Sequence, residues 1–216
     1  MIRLLLLGAT GRTGSSILRQ LSENEHIQVT AAIRDLSDSS RLSKTRRPIH
    51  TMVVDIDNIF SLRKATSQAD IIVNAIRLRG NIPPRALVTL DKRIREGVGD
   101  MEGRLIITVG GAGSLHMLYG QRFWQDPAFP KRTLPRGIAH AKLRDYLEEL
   151  PPTSWAYLIP PPAYNPTGPR TGCYNRWTPS NDESEFLNRS ISYEDFATAV
   201  CKAVSEGWTG VHLIAN

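Results

Sequence analysis

The sequence predicts an α/β protein: a doubly wound, mostly parallel Rossmann sheet with helices on both faces and a small C-terminal substrate-side region. Apolar runs alternate with helical patterns along most of the chain, as a covered parallel sheet requires. A glycine-rich turn, GATGRTG, joins the first apolar run to the first helical pattern. The 216 residues suffice for one domain with a core and a ligand crevice, so 1–216 is read as a single unit.

In chain order, Ile2 to Leu7 is a continuous apolar strand interrupted only by Arg3. A helix follows from about Arg12 to Leu21, with Ile17, Leu18 and Leu21 on one stripe. Val29 to Ile33 reads as the second strand, Thr51 to Val54 as the third, and Asp70 to Ile76 as a fourth, buried on both faces. Pro83 and Pro84 suit the first turn of a helix running to about Glu96. Arg104 to Val109 is a fifth strand closed by Gly110 and Gly111. An irregular proline-containing segment leads to a helix from about Gly137 to Leu150, then to a sixth strand, Ser154 to Ile159. Residues 160–190 are rich in Pro, Gly and Asn, with room for a short hairpin around Gly172 to Thr178; a loop this long in a compact domain is usually functional. Ser192 reads as an N-cap with Asp195 three residues on, a weaker form of the capping box. Phe196, Val200, Ala203 and Val204 give the following helix its apolar face, Gly207 and Gly210 end it, and Val211 to Ile214 is the last strand.

Composition narrows the class. Hydrophobic residues make up 41% and charged residues 22%, ordinary for a globular protein, and no apolar run approaches the roughly 20 residues of a membrane helix. The opening MIRLLLLGATG meets glycines where the apolar part of a signal peptide should continue, so it reads as a first strand and the expected location is cytoplasmic. Cys173 and Cys201 match neither a metal spacing nor a CxxC pair, and no metal is expected. The net charge of +6 comes mainly from scattered arginines; only Arg41, Lys44, Arg46 and Arg47 form a dense stretch, read as a solvated loop face rather than a nucleic-acid surface. The expected partner is a small-molecule acceptor, with no nucleic acid and no membrane, the chain acting as a monomer or homodimer.

The turn holds the clearest chemistry. Gly8, Gly11 and Gly14 follow a GxxGxxG spacing between a strand and a helix, the context in which glycines allow a tight turn, a close approach of backbone to pyrophosphate and close helix–strand packing. The free N–H groups at the start of the next helix would hold the phosphate oxygens. The cofactor set within this turn is Gly8, Thr10, Gly11, Arg12, Thr13 and Gly14. Arg34 follows the second strand, about 20 residues on, where an arginine pairs with the 2′-phosphate of NADP and an acid would accept the 2′-OH of NAD. Asp35 stands beside it, but Arg34 is the first residue free to turn toward the ribose, and Arg12 can add a second guanidinium. NADPH is therefore the expected cofactor over NADH.

GATGRTG, the IRD after the second strand and VDIDN after the third resemble the atypical short-chain dehydrogenase/reductases. VGGAGSL, PPPAYNPTGPRTGCY and ISYEDFATAV narrow the resemblance to the NAD(P)H-binding group of flavin-reductase-like and biliverdin-reductase-like proteins, with NmrA-like relatives, over nearly the whole chain. The resemblance implies that Asp55 and Ile56 lie against the adenine, that Asn74, Ala75 and Ile76 line the cofactor, and that Val109, Gly110 and Gly111 approach the nicotinamide.

Typical members of that superfamily use a Tyr-x-x-x-Lys pair to protonate a carbonyl oxygen. Lys142 sits where the lysine is expected, but Ile138 occupies the tyrosine position, so Lys142 is read as a cofactor contact or an exposed helix lysine. Flavins and quinones accept hydride into a conjugated ring without a strong acid, and the protein then contributes mainly by holding two flat rings together. Ser114 and Tyr164 are the candidate catalytic residues, Ser114 as a hydrogen-bond donor; Pro161 and Arg170 are placed on the substrate rim, and His116 and His140 are read as structural. The expected activity is NADPH-dependent reduction of a flavin, quinone or tetrapyrrole-like acceptor, the flavin serving as substrate. The alternative is a non-catalytic NADP(H)-sensing regulator.

Overall fold

The computed structural model describes residues 1–216, and its centre is an eight-stranded sheet. The strands are β1 (Ile2–Leu7), β2 (Ile27–Ile33), β3 (His50–Val53), β4 (Ile71–Asn74), β5 (Leu105–Val109), β6 (Trp155–Ile159), β8 (Asn175–Trp177) and β10 (Gly210–Ala215). Their order is β3-β2-β1-β4-β5-β6-β10-β8, and every pairing is parallel except that of β8 with β10 at one edge. Leu6 sits between Ala31 of β2 and Val73 of β4. The chain order reverses between β1 and β4, which opens a crevice at the carboxyl ends of those two strands.

Five helices cover the sheet: α1 (Arg12–Leu21), α2 (Ile59–Thr66), α3 (Ala86–Val98), α4 (Leu134–Glu148) and α5 (Tyr193–Glu206). Ile17 and Leu18 of α1 and Phe196 and Val200 of α5 share one buried cluster with Leu4, Val73 and Ile107. The other face packs Leu5, Leu7, Ile72 and Ile106 on Leu62 of α2 and Ile94 of α3, then Tyr157 and Ile159 on Leu143 and Leu147 of α4. Alternate strand residues face opposite layers, so continuous apolar runs such as Leu4–Leu7 are buried on both sides.

All seven expected strands are present, each end within two residues of the expected one. The helix α2 was not expected; Asn58 starts it by accepting hydrogen bonds from the N–H groups of Phe60 and Ser61. Pro83 and Pro84 precede α3 rather than open it, whereas Pro135 lies inside the first turn of α4, earlier than the expected start at Gly137. Ser192 caps α5 through the N–H of Asp195, and Gly207 ends that helix in a left-handed conformation at φ 64°.

The 160–190 segment does not form the expected hairpin. The strand β8 joins the main sheet, while β7 (Ala163–Asn165) pairs in parallel with β9 (Ser190–Ser192) in a separate two-stranded sheet. The cause is Asp195, which is fully buried. Its carboxylate does not return to the cap as a capping box would, but accepts the N–H groups of Thr171 and Gly172 and the Thr171 hydroxyl. The chain is tied to α5 at the point where it would have to turn back.

Candidate functional site: a glycine-lined cleft at the switch point

The glycine turn sits at the reversal in strand order. Gly8 has φ 80°, and a Cβ there would lie 2.7 Å from the backbone of Ala75 at the end of β4. A Cβ on Gly14 would lie 2.1 Å from the Gly8 carbonyl oxygen, so this glycine is what lets α1 pack on β1. Gly11 differs. Its Cβ would touch only the Gly8 oxygen, at 3.1 Å, and nothing else in the protein fills the space before it. Gly11 is also the N-cap of α1; no side chain caps that helix and its first turn holds no acid. The amide donors at this end are thus free for an anion, as pyrophosphate binding requires.

Arg34 leaves the end of β2 with its side chain 82% exposed, its Nε 3.6 Å from Asp38. The neighbouring Asp35 turns away from it, accepting the Ser37 N–H at 2.8 Å and capping the short helix Leu36–Arg41. Arg12 is exposed at the same end of the sheet. Asp55 is exposed, its carboxylate accepting the Asp57 N–H, and Ile56 packs on the apolar layer beneath. Asn74 is buried and accepts the Ile76 N–H, and the Ala75 N–H bonds to the Leu7 carbonyl, so β4 continues as a floor beside the glycine turn. Thr10, Ala75, Ile76 and Val109 remain partly exposed.

One wall of the cleft is aromatic. The Tyr164 hydroxyl lies 3.0 Å from Thr13 Oγ1, and its ring stacks on Tyr193 with centroids 3.9 Å apart. Burial pushes the Tyr164 hydroxyl well above its ordinary range, against the smaller downward pull of the Thr13 hydrogen bond. Tyr164 is therefore a poor acid, and its ring stands beside the glycine turn. Pro161, just before β7, is buried.

The other wall comes from the loop after β5 and from α4. Gly110 packs on Leu158, where a Cβ would meet the carbonyl at 2.8 Å; a Cβ on Gly111 would lie 2.6 Å from the His140 imidazole, and one on Gly113 2.4 Å from the Gly137 Cα. The His140 Nδ1 is 2.8 Å from the Tyr157 hydroxyl. Burial, with Arg136 nearby, lowers His140 to about 4, so it is neutral near pH 7.

Three expected site residues stand elsewhere. Lys142 is 52% exposed and lies 3.8 Å from Asp145 on the solvent side of α4, because the stripe facing the sheet is Arg136, His140 and Arg144. Ser114 is fully buried and donates its hydroxyl proton to the Gly111 carbonyl at 2.8 Å, so it offers nothing to an acceptor. Arg170 pairs with Glu23 just past the C-terminal end of α1, far along that helix from the glycine turn, and is removed from the rim. Conversely, Arg136, His140 and Tyr193 border the cleft without having been singled out as site residues. The four-residue spacing of Arg136 and His140, in step with Ala139, Leu143 and Leu147 of the buried face, is the signal that places the first two.

The fold and turn define a dinucleotide-binding α/β protein. A family model described as NAD(P)H-binding matches residues 8–207, and the chain belongs to that family. It is 27% identical over 206 residues to YwnB, an uncharacterized protein of Bacillus subtilis (strain 168), covering 90% of this chain and 88% of that one. Among solved structures it resembles a provisionally named NADH-flavin reductase from Streptococcus pneumoniae TIGR4, with TM-score 0.83, 20% identity and full coverage of both chains. It also resembles a provisionally named exported protein from Burkholderia pseudomallei, with TM-score 0.80, 23% identity and full coverage of both. At these identities the two structural likenesses speak for the fold. No helix is long and apolar enough to cross a membrane.

Proposed function

We propose that this protein is an NADPH-dependent oxidoreductase that passes hydride to a flat conjugated acceptor such as a flavin, a quinone or a tetrapyrrole-like molecule. One observation carries the reading: the cleft has a place for a dinucleotide but no tyrosine–lysine relay to deliver a proton. Lys142 faces solvent, Ser114 is committed to Gly111, His140 is neutral, and burial makes the Tyr164 hydroxyl a poor acid. An acceptor that spreads the incoming charge over a ring system needs no such group, and water balances the proton.

Bound NADPH supplies the hydride. The residues of the chain provide the rest. The amides of Arg12, Thr13 and Gly14 suit the pyrophosphate, and Arg34, with Asp35 turned away, suits the 2′-phosphate. Gly111 over His140 and the stacked Tyr164–Tyr193 pair leave flat walls on either side of the crevice, which supports alignment of two rings. The likeness to a provisionally named NADH-flavin reductase agrees with this reading. Because β8 and β10 extend the same sheet as the glycine turn, we treat 1–216 as one cofactor-binding unit.

Steady-state oxidation of NADPH with FMN, and separately with a quinone, tests the proposal. Turnover with either supports it. Tight NADPH binding with no oxidation across flavins, quinones and linear tetrapyrroles refutes it and leaves a cofactor sensor.

A further inference from the structure

The mouth of the cleft carries charges that the protein does not neutralise. Arg77 lies three residues past the end of β4, Arg136 lies in the first turn of α4, and Arg132 stands just before that helix. Arg136 is one turn above His140 on the same stripe, and His140 rests on Gly111 beyond β5. Arg136 therefore stands over the β4–β5 edge from which Arg77 emerges. None of the three arginines forms an ion pair or donates a side-chain hydrogen bond, although eleven other arginines pair with carboxylates across the molecule.

Two physical penalties coincide here. Arg136 is partly buried, which disfavours its charge, and Arg77 and then Arg132 disfavour it further; Tyr193 alone opposes them. The second penalty is the helix itself. The start of α4 is the positive end of its dipole, where acids are stabilising, yet its first turn has no acid and no side-chain cap. A bound anion would relieve both penalties at once.

We propose that Arg77 and Arg136, at the start of α4, bind an anionic group of the acceptor, a phosphate or carboxylate. The cofactor's own phosphates have separate partners across the switch point, at the start of α1 and at Arg34 beyond β2, so this pair is left for the second ligand. The proposal takes the word acceptor from the reductase reading above. Its chemistry selects a phosphorylated flavin over the same ring without phosphate, and a carboxylate-bearing tetrapyrrole over a neutral quinone.

The test is equilibrium binding to NADP⁺-saturated protein, which does not depend on turnover. FMN and riboflavin share one ring system and differ in the phosphate; quenching of flavin fluorescence reads both. FMN should bind at least about tenfold more tightly, and Arg136→Gln or Arg77→Gln should abolish that preference while riboflavin and NADP⁺ affinities stay within about twofold. Calorimetry with inorganic pyrophosphate on the same NADP⁺-loaded protein should give binding heat that either variant removes. Removing an unpaired, crowded charge leaves the fold intact, so both variants should unfold at or above the wild-type temperature. Equal binding of FMN and riboflavin overturns the proposal, as does a variant that mainly weakens NADP⁺, which would assign the pair to the cofactor. If no flavin binds or is reduced, the flavin reading falls; the anion site then stands if pyrophosphate heat is lost in Arg136→Gln, and falls if the wild type gives none.

Discussion

Lowering the pH from 7.5 to 5 should destabilise the wild-type protein by roughly 2 kcal/mol more than it destabilises a His140→Gln variant. His140 is held at about 4 by burial, with Arg136 adding to the effect, against an ordinary value of 6.5. Between those two values the unfolded chain binds a proton that the folded protein refuses. Stability therefore rises with pH across the window, is complete above 6.5, and is lost as the pH falls toward 4. Each pH unit inside the window weighs about 1.4 kcal/mol, so the whole effect is about 3 kcal/mol and the part expressed by pH 5 is roughly 2. Urea unfolding at pH 7.5, 6 and 5, followed by tryptophan fluorescence, measures it. Glutamine keeps a polar partner for the Tyr157 hydroxyl, and His116 and His212, whose charges burial also disfavours, remain in both proteins. Comparing the two pH profiles thus isolates residue 140. Parallel profiles would refute a neutral imidazole at residue 140, and with it the claim that His140 is no proton donor.

Arg34→Ala should weaken NADPH by about 10- to 100-fold and leave NADH nearly unchanged, since one charge-assisted phosphate contact contributes on the order of 1.5–3 kcal/mol; equal losses measured by calorimetry would remove Arg34 from the ribose. Gly11→Val should abolish cofactor binding with little change in melting temperature, whereas Gly14→Val should lose both, because the Gly14 Cβ would lie 2.1 Å from a backbone oxygen. Lys142→Ala should change neither kcat nor the KM for NADPH, and a tenfold change in either would return it to the cleft. Glu183→Ala should cost roughly 3 kcal/mol in urea unfolding, because it strips a buried partner from Arg144; a loss under about 1 kcal/mol would show that Glu148 and the Ser114 carbonyl suffice for Arg144.

The fold and the glycine turn at the switch point were legible because both are written in local patterns. A run such as Leu4–Leu7 can only be buried on both faces, and glycines at 8, 11 and 14 between a strand and a helix have few other uses. The substrate half was not, because it depends on which face of a helix meets the sheet. Seeking a Tyr-x-x-x-Lys pair places Ile138 and Lys142 at the site, but the small and apolar side chains Ala139, Leu143 and Leu147 face the interior and carry Arg136 and His140 with them. Two residues of offset, about 200° around the helix, exchange a solvent lysine for a half-buried histidine. Ser114 and Arg170 misled for a related reason. Their partners, the Gly111 carbonyl three residues back and Glu23 at the far end of α1, are set by tertiary packing.

The segment between residues 160 and 190 carries the most distinctive motif of the chain, yet several of its polar groups are taken up by protein partners. Thr171 and Gly172 are held by the Asp195 carboxylate at 2.8–2.9 Å, and Arg170 by Glu23. Further on, the Glu183 carboxylate takes two hydrogen bonds from the buried Arg144 and one from the His116 N–H, while Arg144 also donates to the Ser114 carbonyl. A buried ion pair is weak evidence for stability, since well-packed apolar residues could replace it at little cost or with a gain. It does specify geometry. This one fixes the 180s loop, the turn at Ser114 and the helix α4 as one piece, and α4 is the element that sets His140 over Gly111 and Arg136 at the cleft mouth. The motif thus belongs to a strap, anchored to α5 at one point and to α4 at another, which holds Tyr164 and Tyr193 on one side of the crevice and His140 on the other. Residues free to choose an acceptor are then those between the anchors and above the rings, which is where Arg77 and Arg136 stand unpaired.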